Sequence, residues 1–135
     1  MKNKKRGFTL VELVIVMVII GILAIVGNTG YRSHVRRSMA SEGRALVGAL
    51  ANAEEVYFAE NRVYLNVSAT ASSPILGIDT NKNTYFRQFS VAADNSNPAT
   101  PSFTAVATGS GQATGITVTL VQNWNVAPVR SVAGI

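Results

Sequence analysis

Residues 8–26 read FTLVELVIVMVIIGILAIV, nineteen residues in which Glu12 is the only charge. As an α-helix they rise about 28 Å, roughly the hydrocarbon thickness of a bilayer. Lys2, Lys4, Lys5 and Arg6 stand in front of this run, and beyond Ala69 the chain turns to Ser, Thr, Asn, Gly and short apolar residues. The overall 47% hydrophobic and 14% charged composition of the 135 residues therefore averages a lipophilic end and a polar end. One domain is the ceiling at this length.

The run has three readings that share its hydrophobicity. A secretory signal peptide has a basic start, a 7–15 residue core and a small-residue cleavage site on the far side. This core is longer, it holds a carboxylate, and no convincing A-x-A pattern follows it. A single-span anchor fits the length. The third reading is a membrane helix that later leaves the lipid and becomes packing material. Glu12 separates the last two, because an ionised carboxylate within a bilayer is costly and by default has a functional partner. It either snorkels to the interface beside Lys4 and Lys5, or it meets a cation that processing creates. Cleavage between Gly7 and Phe8 would place an α-amino group four residues before it.

The string Lys4-Lys5-Arg6-Gly7-Phe8-Thr9-Leu10-Val11-Glu12-Leu13, with the apolar run behind it, resembles the class III signal of the type IV pilin family. The likeness covers residues 1 to about 31. It implies that a prepilin peptidase removes residues 1–7 on the cytoplasmic side and that the new terminus, Phe8, is N-methylated. It also implies that Glu12 neutralises the amine of a neighbouring subunit during filament assembly. Pairing offsets much of the cost of a buried carboxylate and favours one axial register.

Many members of that family carry a helix-breaking proline where this chain has Thr29, so a proline kink is not available. Gly21, Gly27 and Gly30 interrupt the helix instead, each at about 1 kcal/mol relative to alanine in an exposed helix. Lipid enforces the helical state. In a fibre that enforcement relaxes, and residues 21–30 are then the stretch most prone to melt; the other reading is that these glycines only permit close helix contacts.

Beyond the apolar run, Val35, Met39, Leu46, Leu50, Ala53 and Tyr57 recur at helical intervals, and no proline occurs before Pro74. One helix from about Thr9 to about Glu60 is predicted, apolar all round in its first half and amphipathic in its second. Arg32, Arg36, Arg37 and Arg44 come early in that second half, with Glu54, Glu55 and Glu60 late. These charges form a solvated face or pair across staggered subunits. Residues 61–84 read as a long irregular connection. Tyr85–Val91, Phe103–Thr108 and Ile116–Gln122 read as strands, and Trp124 with Val126, Val129 and Val132 adds a fourth or covers the sheet. The aromatic set, from Tyr57 and Phe58 to Phe103 and Trp124, reads as core packing.

The expected fold is α+β: a long N-terminal helix packed on an antiparallel sheet of three to four strands, as in the pilin fold. The expected organisation is a cleaved leader (1–7), a transmembrane and assembly helix (8–30), its amphipathic half (31–60), and a connecting loop with sheet (61–135) that forms the head with 31–60.

With no cysteine and His34 as the only histidine, disulfides, thiolate sites and histidine metal clusters are excluded. No nucleophile elbow or phosphate loop is present. Neither an enzyme nor a cofactor or metal is expected. The favoured function is a major-pilin-like structural subunit of a type IV pilus, a helical homopolymer serving adhesion, motility or DNA uptake. Its expected partners are other pilin subunits, prepilin peptidase, the assembly machinery and the inner membrane before export to the bacterial surface. No specific nucleic acid is expected, since Arg32, Arg36 and Arg37 would be hidden in a fibre. The alternatives are a pseudopilin of a type II secretion system, disfavoured by the lack of acids after Gly109, and a monomeric membrane-anchored binding domain. Four of the charges leave with the leader, and residues 8–135 keep eight basic and seven acidic side chains. The basicity marks processing and orientation, not an anionic partner.

Overall fold

The computed structural model describes residues 8–123 and 125–135, without the side chains of residues 26–29. The leader, with Gly7, and Trp124 lie outside the described residues. The chain forms two compact units, Met1–Val35 and Arg36–Ile135. A single helix, α1 (Leu10–Asn61), contributes to both.

Among the described residues of the first unit, those up to Ile25 are exposed. Its large apolar side chains from Phe8 to Ile25 are between 45% and 83% exposed. By length and composition α1 is apolar enough to cross a membrane. The helical backbone passes through Gly21, Gly27 and Gly30.

The second unit is built on one face of α1. Met39, Ala40, Leu46, Val47 and Leu50 are buried, at the three- and four-residue steps that return a helix to the same side. Gly43 lies at the centre of this face. A Cβ added there would fall 2.7 Å from Phe86 Cε1 and 2.8 Å from Val118 Cγ2. Glycine is therefore what lets the sheet approach the helix. Of the six positions expected on this face, Met39, Leu46 and Leu50 are buried, while Val35, Ala53 and Tyr57 are half-buried toward its ends.

The sheet is antiparallel, with five strands: β1 (Val67–Thr70), β4 (Gln88–Asp94), β5 (Ser102–Thr108), β6 (Thr117–Asn123) and β7 (Val129–Ala133), in the order β1-β4-β5-β6-β7. A two-stranded ribbon, β2 (Ser72–Ser73) with β3 (Ile78–Asp79), stands apart from it. Alternation decides which side faces the helix. Phe89 and Val91 of β4, Phe103, Ala105 and Ala107 of β5, and Val118 and Leu120 of β6 are buried. Ladder pairs such as Phe89–Ala107 and Ala107–Val118 align them across the strands. Fully burying a Leu, Val or Phe side chain is worth about 1.5–3 kcal/mol, so this layer dominates the stability of the head.

The α+β class holds, and the strand count is larger than expected. The additional strand, β1, lies inside the stretch read as an irregular connection. It is a four-residue edge strand whose register against β4 shifts between Val67 and Thr70, too short to show a period. The first expected strand, Tyr85–Val91, begins later, at Gln88, because the amides of residues 84–86 are bonded to a helix carboxylate rather than to a neighbouring strand.

Candidate functional site

The first turn of α1 carries a capping box. Thr9 has its carbonyl bonded to the Leu13 amide, which makes it the N-cap. Its hydroxyl oxygen accepts the Glu12 N–H at 3.2 Å, and Glu12 Oε2 accepts the Thr9 N–H at 3.3 Å and the Thr9 hydroxyl at 3.2 Å. This is the reciprocal S/T-x-x-E arrangement, in which two otherwise orphaned helix N–H groups are satisfied. A carboxylate here also complements the positive end of the helix dipole. The spacing Thr9-Leu10-Val11-Glu12 was open to this reading from sequence, and Thr9 is a residue that sequence reasoning missed.

The box holds Glu12 one turn into an otherwise apolar helix. Around it, Leu13, Val14, Met17 and Val18 line an open apolar groove of about 340 Å³. Phe8 is 83% exposed. Gly21 and Gly30 face open space, with no atom within 4 Å of an added Cβ. The surroundings of Gly27, and the whole of Gly7, lie outside the described residues. Among the described residues no group of three or more His, Asp or Glu side chains is placed to hold a metal ion.

The acidic residues of the second unit divide in a way that charge order along the helix does not reveal. Glu42 is half-buried, and its carboxylate accepts three backbone N–H groups: Tyr85 at 2.9 Å, Phe86 at 2.8 Å and Thr84 at 3.3 Å. It fastens the approach to β4 onto the helix. Glu54, read from sequence as part of a solvated or intersubunit charge face, is fully buried in the head. Its Oε2 accepts the Leu65 N–H at 2.8 Å. The reason is position: residues 40, 47 and 54 fall seven apart on the buried face. Burial pushes the Glu54 carboxyl above its ordinary range, and the Leu65 bond offsets only part of that. Glu55 and Glu60 are exposed.

Side chains close the loops of this cysteine-free head. Asn95 both accepts the Tyr64 N–H and donates to its carbonyl, each at 2.9 Å, imitating a ladder pair. The Thr80 hydroxyl lies 2.9 Å from the Ala71 carbonyl and 2.8 Å from that of Arg87. Ser110 donates its N–H to the Tyr85 carbonyl at 2.7 Å. Arg36 donates from Nε to the Gly134 carbonyl at 2.8 Å, so one of the arginines expected to be hidden in a fibre holds the end of the sheet. On the surface, Asn81 amides hold the Asp79 carboxyl below its usual range, and Ser96 does the same for Asp94.

Comparison with known proteins gives two family matches. Residues 2–27 match the prokaryotic N-terminal methylation motif. Residues 29–117 match the family described as type IV minor pilin ComP, DNA uptake sequence receptor. A fimbrial protein of Dichelobacter nodosus is 39% identical over 84 residues, 62% of this chain and 50% of that relative. The fimbrial protein EcpC of Eikenella corrodens is 39% identical over 71 residues, 53% of this chain and 46% of its own. A type IV major fimbrial protein FimA of Dichelobacter nodosus is 46% identical over 61 residues, 45% of this chain and 36% of its own. The chain thus spans between about a third and a half of the length of these curated relatives. No solved structure matches it significantly.

Proposed function

This chain belongs to the type IV pilin family, its residues 29–117 to that of the minor pilin ComP, and from that premise we propose that it is made as a precursor and polymerised through its apolar helix into a helical surface fibre. A prepilin peptidase cuts between Gly7 and Phe8, and Phe8 is N-methylated. The inner membrane holds the subunit through residues 8–30 until the assembly machinery extracts it. One observation carries this reading: the large apolar side chains from Phe8 to Ile25 are all exposed in the single chain. Lipid covers such a helix before assembly, and other copies of it cover it afterwards.

Within the fibre, Glu12 pairs with the methylated amine of a neighbouring Phe8. The capping box supports this role, since it fixes the carboxylate at the start of the helix before any neighbour arrives. Residues 21–30 relax there, where lipid no longer enforces their amide bonds. The test is electron microscopy of sheared surface fractions, with antibody against the head. Labelled fibres are expected; labelled protein confined to the membrane fraction would leave the pseudopilin and the monomeric anchor.

A second reading has its own support in the family of residues 29–117, which is described as a DNA uptake sequence receptor. On this reading the subunit is a minor component of the fibre and its head contacts DNA. Arg62, Lys82, Arg87 and Arg130 are exposed on the head. Phosphate contacts through such groups weaken steeply with salt. Binding of duplex DNA to purified fibres that falls as salt rises, and that falls again when these four residues are changed to Gln, is the expected result. Fibres that bind no DNA at low salt would remove this reading and leave the first intact.

A further inference from the structure

Glu54 is a fully buried carboxylate of the head that the fibre reading does not use. It lies on α1, outside the membrane segment, where the helix approaches its end at Asn61 and the chain returns toward β1. Of its two carboxylate oxygens, Oε2 accepts the Leu65 N–H at 2.8 Å. The other, Oε1, is buried with no hydrogen-bond partner. An ionised carboxylate can accept about four hydrogen bonds, and among the described residues this one accepts a single one, from Leu65.

Among the described residues no ion pair offsets the deficit. Tyr64, on the returning segment, is a titratable group near Glu54 but outside its helix, and the charges of Glu55 and Glu54 both act on it. Burial first, and then these two carboxylates, push the Tyr64 hydroxyl up. The Tyr64 ring stacks on Phe58 at 4.6 Å and packs against Phe103 of β5 at 4.8 Å. Beside it, Glu55, Gln122 of β6 and Asn125 line a cavity of about 160 Å³. None of these groups is basic, and the last turn of α1 contains no basic residue.

We propose that Glu54 is a pH-sensitive latch: protonated, it holds the segment between Asn61 and Val67 on the helix, and ionised, it loosens that segment. The neutral acid keeps Oε2 as an acceptor for Leu65 without burying a charge. Burial raises its pKa above the ordinary 4.5, and the Leu65 bond lowers it by less. The closed head therefore keeps a proton that the opened segment gives up. In that situation stability is greatest below the unfolded value and declines as pH rises toward the raised one. The latch works in a lone subunit and needs no fibre.

The experiment uses the full chain in detergent micelles. Carbon-detected NMR of the Glu54 carboxyl gives its midpoint, and hydrogen exchange of the Leu65 amide, corrected for intrinsic rate, gives the opening equilibrium. A midpoint above 4.5 is expected, with opening that increases by up to about tenfold per pH unit between 4.5 and that midpoint. Glu54→Gln, which keeps an acceptor for Leu65 without a charge, should make the opening independent of pH in this window. A wild-type midpoint at or below 4.5, or the same pH dependence in Glu54→Gln, would overturn the latch. Should Glu54→Gln not fold, the wild-type midpoint decides alone.

Discussion

Phe8 and Phe86 are the same side chain in opposite circumstances: the first is 83% exposed and the second fully buried. The difference extends to the units that contain them. Among the described residues of Met1–Val35 the large apolar side chains from Phe8 to Ile25 are exposed, and polar side chains bond locally, within the turn that joins Thr9 to Glu12. In Arg36–Ile135 the apolar layer is closed, and polar side chains reach across long stretches of sequence to finish the loops, as Glu42 does to Tyr85 and Asn95 to Tyr64. The first unit is a surface that waits for other molecules. The second is complete in itself. The proposed assembly needs both, because it requires a helix that bundles and a head that keeps its shape while the helix moves from lipid to protein.

The largest expected effect is at the open end. Glu12→Val removes the carboxylate but keeps the run apolar, so membrane insertion should persist while surface fibres disappear. Fractionation with electron microscopy reads both outcomes, and normal fibres would break the proposed pairing with the Phe8 amine. Thr9→Ala is the sharper companion. Loss of an N-cap costs about 1 kcal/mol, so Thr9→Ala should reduce fibre yield without abolishing it.

The head should respond in the opposite way, in folding rather than in assembly alone. Gly43→Val drives a branched side chain into the space held by Phe86 and Val118, where even a Cβ would lie 2.7 Å from the ring. Overpacking of this kind costs about 1–3 kcal/mol or more, and a denaturant melt of the full chain in micelles should show it at once. Glu42→Ala follows, since the amides of residues 84–86 lose their acceptor. About 2 kcal/mol of destabilisation is expected for the loss of such charge-assisted bonds, with Glu42→Gln recovering part of it. Asn95→Ala should cost least, about 1 kcal/mol for two neutral bonds at a half-buried site. If Glu42→Ala and Asn95→Ala left the melt unchanged while stopping assembly, the division between a waiting surface and a finished head would fail.

Legibility in the sequence follows the same division. The run 8–26, its single carboxylate and the basic leader are features of spacing and charge, so they could be read directly. Three strands were legible because alternation runs through much of β4, β5 and β6, though the first was read as starting at Tyr85 rather than Gln88. β1 was not, because four residues at a sheet edge carry no period. Gly43 was hidden for a different reason: its role is an absence of side chain opposite Phe86, and only the tertiary approach gives that absence a meaning. Glu54 was misread because charge usually marks a solvated face, and here helical phase overrides chemistry by placing it in line with Ala40 and Val47. Glu42 went unnoticed, since nothing in its neighbours announces three amides arriving from more than forty residues away.

On the proposed reading the exposed helix belongs to a processed subunit whose cover is other subunits. Mass spectrometry with terminal sequencing of protein taken from sheared surface fibres tests it most directly. A chain that begins at Phe8, heavier by one methyl group on its α-amine, is predicted. Protein that begins at Met1, or that is found only in the membrane, would contradict it.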